Sequence, residues 1–237
     1  MIATVSSLAV VPFIILLVGA MILAVIVKVI SNQRESSAER SRRRGLRDLT
    51  TRLGFESFSP GRDDEFTRKW DFLHRLTHIG EDHFAFNLLR GTYHGQSLFI
   101  FDFSYMTGGS KSPQEHVGTM FLLIFKKTFP HLTIGPENLE VKFAEACGVA
   151  NDIKFESSEF SRKYCVRSPD KKFAYDICNP QMIDYLLANP RLKIEIQGPC
   201  LLLAFEPQLP VEQIEFNLQR LVQIRSLMPN YLFTQNA

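Results

Sequence analysis

FAFNLLRGTYHGQSLFIFDFSY, residues Phe84 to Tyr105, decides how the rest of the chain is read. Phe84–Arg90 and Leu98–Tyr105 hold the apolar and aromatic residues that favour strands, and Tyr93-His94-Gly95-Gln96 between them is turn chemistry. In the second run Phe99, Phe101 and Phe103 fall on one face, and Leu98, Ile100 and Asp102 on the other. The stretch predicts an antiparallel hairpin with one acid, Asp102, inside a hydrophobic strand. An acid so placed is a candidate for a perturbed pKa, and a position at a strand end or edge explains it equally well.

Outward from the hairpin, Thr119–Lys127 and Leu132–Ile134 read as further strands. Leu192–Gln197 alternates apolar and polar residues, Gly198-Pro199 turns the chain, and Cys200–Phe205 is apolar throughout, the pattern of a central strand. Ile153–Phe155 and Tyr164–Arg167 predict strands on either side of Ser157–Lys163. Ser36 and Ser37 cap a helix over Ala38–Leu53, with Leu46, Leu49 and Leu53 on one stripe and Gly54 as its stop. Phe55–Arg62 reads as a loop, and Asp63 or Asp64 starts a short helix bearing Phe66 and Trp70. Glu137–Ala146 reads as a helix, and Asn179-Pro180 opens another that Pro190 closes. Pro210 and Pro229 frame the last, where Ile214, Leu218, Leu221, Ile224 and Met228 form a helical stripe. The expected fold is α+β, a mostly antiparallel sheet of about six to eight strands covered by helices, with a long C-terminal helix. A sheet curled against that helix, in the element order of pleckstrin-homology-like domains, is one such architecture.

Averaged over 237 residues, 45% apolar and 22% charged, the composition excludes a disordered, collagen-like or polytopic membrane chain. The net charge of +2 conceals an asymmetry. Residues 1–27 are uncharged, residues 28–52 hold eight basic and three acidic groups, and the remainder is net acidic. Leu8–Val27 is a nearly continuous apolar run long enough to span a bilayer core of roughly 30 Å. Met1–Ser7 has no Lys or Arg, unlike the basic start of a cleaved signal, so the run reads as a retained transmembrane helix. The basic residues that follow place the rest of the chain in the cytoplasm. The expected organisation is an anchor over residues 1–30, a basic juxtamembrane helix and linker over 31–62, and a cytoplasmic α+β domain over 63–237. The expected location is the inner (plasma) membrane, single-pass, with the N-terminus outside and the bilayer as partner of residues 8–27. Arg42, Arg43 and Arg44 are the candidate membrane-surface residues, either touching anionic headgroups or only fixing topology. Cys147, Cys165, Cys178 and Cys200 form no CxxC pair and read as buried reduced thiols. An acidic domain without an aromatic–basic motif gives no sign of nucleic-acid binding.

Phe155-Glu156-Ser157-Ser158-Glu159-Phe160-Ser161-Arg162-Lys163-Tyr164-Cys165-Val166, followed by Asp170 and Asn179-Pro180-Gln181-Met182, is a distinctive run. It resembles an uncharacterised family of bacterial membrane-anchored proteins, known as a domain of unknown function. The resemblance covers roughly residues 90–205, and Cys165 and Asn179 depart from the family's pattern. It implies an anchor-plus-domain architecture and a bacterial origin, and implies no activity. As structure, Phe160 and Tyr164 are expected to pack inward, with Glu156, Glu159, Arg162 and Lys163 on a solvated, self-paired helix face.

His74 and His78 stand at the i,i+4 spacing of two zinc ligands, and His83 follows closely. The glutamate of an HExxH helix is missing, because Arg75 follows His74. These three are the weak metal candidates; no catalytic residue and no cofactor site is assigned. Gly108-Gly109-Ser110-Lys111-Ser112 lacks the second glycine of a phosphate loop and reads as a hairpin connection. Nineteen of the 20 phenylalanines follow residue 52, which predicts a large core, with a hydrophobic-ligand pocket as the sharper alternative. The expected function is a membrane-anchored protein-binding or scaffold module with a protein partner of unknown identity. The alternatives are a tethered hydrolase or metal-dependent enzyme at His74, His78 and His83, or a lipid-binding domain. Alkaline phosphatase fused after Ala237 should be inactive in cells, since it matures only outside the cytoplasm; strong activity would reverse the topology.

Overall fold

The computed structural model describes residue 21 and residues 37–70, 81–108, 112–136 and 152–234. The chain forms two compact units, Met1–Gly45 and Leu46–Ala237. Residues 37–52 are helical (α1). The apolar run of residues 8–27 lies outside the described residues apart from Met21, and among the described residues no helix is long and apolar enough to cross a membrane.

The hairpin is present and longer than its sequence suggests. β2 (Glu81–Tyr93) and β3 (Gln96–Thr107) pair antiparallel, joined by His94 and Gly95 at φ 48° and 78°. Two consecutive left-handed residues make the tight turn whose twist matches that of paired strands. β4 (Gln114–Pro136) is the spine, 23 residues long. Its first half pairs with β3, its far end with β5 (Tyr164–Arg167), and its other side with β6 (Lys193–Phe205). β1 (Ser57–Ser59) edges β2 and completes a six-stranded antiparallel sheet.

Five local expectations change. The sequence divides β4 after Lys127 and β6 at Gly198-Pro199, yet both strands run through. The two irregular stretches lie opposite each other, with Phe129 paired to Gly198 at φ 54°, and pairing resumes on either side. Turn residues in two paired strands at one level bend the pair together instead of reversing either chain. Cys200–Phe205 is not central: β6 pairs with β4 alone, and its apolar run reflects burial of both faces. The loop over Phe55–Arg62 contains β1, and Ile153–Phe155 contributes no strand, only a bridge from Asp152 to Arg167. The expected helix at Glu137–Ala146 lies outside the described residues.

Helices cover the sheet. The larger core joins Leu46 and Leu49 of α1, Phe160 of α3 (Ser158–Lys163), Phe173 and Ile177 of α4 (Lys171–Ile177) and Met182 and Leu186 of α5 (Pro180–Ala188). The long helix α6 (Ile214–Leu227) adds Ile214, Leu218, Leu221 and Ile224 to the same core. On the other face Phe66 of α2 (Asp64–Lys69) meets Phe101 edge-on at 5.0 Å, over Phe103, Leu122 and Leu202. Side-chain oxygens of Asp63, Ser157, Asp170 and Asn179 each accept the amide hydrogen bond that starts α2, α3, α4 and α5. Gly118 lets β4 and β6 close up, because a Cβ there would stand 2.6 Å from the Phe205 carbonyl oxygen.

Asp102 is 1% exposed on the helix-covered face. Asn87, at φ 51° in the irregular part of β2, donates to its Oδ2 at 2.9 Å, and Thr119 Oγ1 of β4 donates to Oδ1 at 3.0 Å. The Thr119 hydroxyl in turn accepts the Leu209 amide at 3.0 Å, which ties the loop before α6 to the sheet. A buried carboxylate is stable when such donors replace its water. Asp102→Ala removes the acceptor shared by two strands and should lower the unfolding free energy by about 2–4 kcal/mol, read by urea denaturation of the full chain in detergent.

Candidate functional site: a groove beside the sixth strand

The bend in β6 brings both its ends to one depression of about 1180 Å³, whose other wall is the start of α6. Pro190, after α5, sets up a turn in which Arg191 takes φ 71°. Glycine or asparagine normally follows proline in such a turn, and a side chain there costs about 1–2 kcal/mol. Arg191 nevertheless stands there, lining the groove.

Tyr164 pins this wall. Its hydroxyl donates to the carbonyls of Leu186 and Asn189, at 3.1 and 2.9 Å, fixing the end of α5 against β5. Burial pushes the Tyr164 phenol above its usual range. Asn189 Oδ1 then accepts from Arg220 Nη2 at 2.9 Å, and Asn217 Oδ1 from Nη1 at 3.2 Å. The guanidinium also lies 4.8 Å over the ring of Phe216, which is 57% exposed. The Arg220 cation is therefore held flat by two neutral amides and an aromatic face. Among the described residues no carboxylate pairs with Arg191, Lys193 or Arg220.

Glu206, on the opposite lip, is already engaged. His116 Nδ1 lies 3.1 Å from one oxygen, and the Tyr105 hydroxyl donates to the other at 3.2 Å. The His116 and Tyr105 rings stack at 4.8 Å, and burial together with the Glu206 charge pushes the Tyr105 phenol up.

The residues singled out from sequence fall elsewhere. His74 and His78 lie outside the described residues, whereas His83 sits in β2 against the rings of Phe103 and Tyr105. Among the described residues no group of three or more His, Cys, Asp or Glu side chains is placed to hold a metal ion. Arg42, Arg43 and Arg44 are in α1, where Arg43 pairs with Glu39 at 2.8 Å. The Gly-Ser stretch joins β3 to β4, a hairpin connection with no helix to receive a phosphate. Gly108 takes φ 87°, where a Cβ would collide with the Ser112 carbonyl. Cys165, Cys178 and Cys200 are buried, and burial pushes the Cys178 and Cys200 thiols up, the latter to about 12. Lys163 and Glu159 form the expected i,i+4 pair at 2.7 Å. A buried pair not anticipated, His131 Nε2 and Glu195 Oε1 at 2.9 Å, resembles half of a triad, but the nearby Ser168 hydroxyl bonds the His131 carbonyl instead of its ring.

Sequence reasoning passed over Arg191, Lys193, Phe216 and Arg220. Signals existed: an arginine directly after a helix-ending proline, and a phenylalanine off the apolar stripe of α6.

No family model matches this chain, and no curated protein matches it. A solved structure does: the crystal structure of the mycobacterial trehalose monomycolate transport factor A, TtfA, at 14% sequence identity and a TM-score of 0.55. The match spans 79% of this chain and 94% of that one, a similarity of fold. Tyr164→Phe should release the end of α5 and lower stability by about 1–3 kcal/mol, measured by denaturation of the full chain in detergent.

Proposed function

We propose that this is a single-pass membrane-anchored protein whose cytoplasmic α+β domain is a protein-binding module, with the β6 groove as its docking place. The anchor rests on the apolar run of residues 8–27 and the basic residues after it. The binding role rests on the groove. At about 1180 Å³ and open along its length, it exceeds the roughly 300–1,000 Å³ of small-molecule pockets. Its exposed Phe216 and its arginines are of the types that carry binding energy at protein interfaces. The solved neighbour is named as a transport factor, and a tethered domain that works by holding other molecules is compatible with such a role.

The hydrophobic-ligand alternative would need the phenylalanines of the sheet to line a pocket. Phe101, Phe103 and Phe121 are at most 1% exposed and packed in the two cores. A photoreactive benzoylphenylalanine in place of Phe216 in the full chain, irradiated in cells, should give a discrete protein adduct. The same group at Tyr175, exposed outside the groove, should give none. No adduct at position 216, or adducts with lipid alone, would overturn the reading.

A further inference from the structure

The charged residues lining the groove are Arg191, Lys193, Arg220 and Glu206. Glu206 has His116 and Tyr105 as partners. The three cations face the groove with no carboxylate paired to them among the described residues, beside exposed Phe216 and the rings of Pro136, Pro190 and Pro207. The surroundings are neither neutral nor indifferent to charge. The domain after residue 52 is net acidic, so a cationic groove runs against its overall sign.

Two features show that the charge is built in. Arg220 is clamped by Asn189 and Asn217, which spend two of its donors on neutral oxygens and hold the guanidinium plane fixed. A fixed, planar fork suits a planar carboxylate. Arg191 occupies a backbone position, φ 71°, that glycine would take without strain. A strained arginine whose side chain lines a groove is the pattern of a functional position.

We infer that the partner held in this groove is an acidic protein segment with an apolar anchor. Its carboxylates meet Arg191, Lys193 and Arg220, while an aliphatic or aromatic side chain packs on Phe216 and the flanking prolines. The inference rests on the protein-binding reading above and names the chemistry of its partner.

The test uses the full chain in phosphatidylcholine nanodiscs, panned against a phage library of short random peptides. Enriched peptides should carry Asp and Glu in excess of Lys and Arg, together with Leu, Phe or Trp. Their affinity should fall about tenfold or more in Arg191→Gly and in Arg220→Gln, and fall with added salt. Arg191→Gly should also leave the thermal midpoint unchanged or raise it, which separates lost binding from lost folding. Enrichment of neutral or basic peptides, or unchanged affinity in Arg191→Gly, would overturn the proposal. So would soluble short-chain phosphatidylglycerol binding in an Arg191-dependent way when no peptide is enriched, which would assign the groove to lipid headgroups. A protein adduct at position 216 that persists in Arg191→Gly removes the acidic partner and leaves the binding-module reading standing; loss of every adduct removes both.

Discussion

The carboxylate of Asp102 is the point on which the domain is strung. It sits where water cannot reach, so its oxygens must be met by fixed donors, and those donors come from two different strands. Asn87 answers by taking a left-handed conformation that shifts the register of β2 against β3 between Phe86 and Leu89. Thr119 answers from β4 and passes the constraint on, accepting the amide of Leu209. Leu209 lies in the wall of the groove, so one buried acid sets both the sheet and the loop that borders the proposed docking place. The order of cause is from a polar atom in the core to the shape of a surface.

Much of the architecture was written in short-range chemistry. Asp63, Ser157, Asp170 and Asn179 cap their helices by the rule that makes such residues recognisable. His94-Gly95 supplies the two left-handed residues a tight hairpin demands, and the stripe from Ile214 to Ile224 is buried as its spacing requires. What escaped was anything set by partners distant in sequence. Gly198-Pro199 looks like a reversal until β4 is known to be irregular opposite it. The apolar run of Cys200–Phe205 reports covered faces and carries no information about how many strands flank it. The groove was less legible still, because Arg191, Lys193 and Arg220 come from separate elements that only the fold brings together. Asp102 is intermediate: its oddity was visible, while its explanation needed Asn87 and Thr119.

The phenylalanines show how one composition serves two layers. Phe101 and Phe103 point to one side of β3 and meet Phe66, whereas Phe121 of β4 points to the other and meets Phe205 at 5.7 Å. Phe125, Phe129 and Phe233 form a further cluster beneath the bend, with centroids 5.2–5.4 Å apart and Arg225 lying 3.5 Å over Phe233. Large rings at a bend fill the widening gap that smaller side chains would leave open. The aromatic density is therefore a packing requirement of a curved sheet covered on both faces.

The position of β6 has one more implication. Among the described residues it has no strand on its outer side, so its outer edge offers backbone groups to any extended chain that drifts past. Attachment to a bilayer confines molecules to two dimensions and raises the rate at which identical edges collide. The bend at Gly198-Pro199 spoils the flatness that edge-to-edge stacking needs, and the buried Glu195, held by His131, would be stripped of its setting if a foreign strand displaced the neighbours around it. The same curvature that opens the groove thus keeps neighbouring copies from zipping into a continuous sheet.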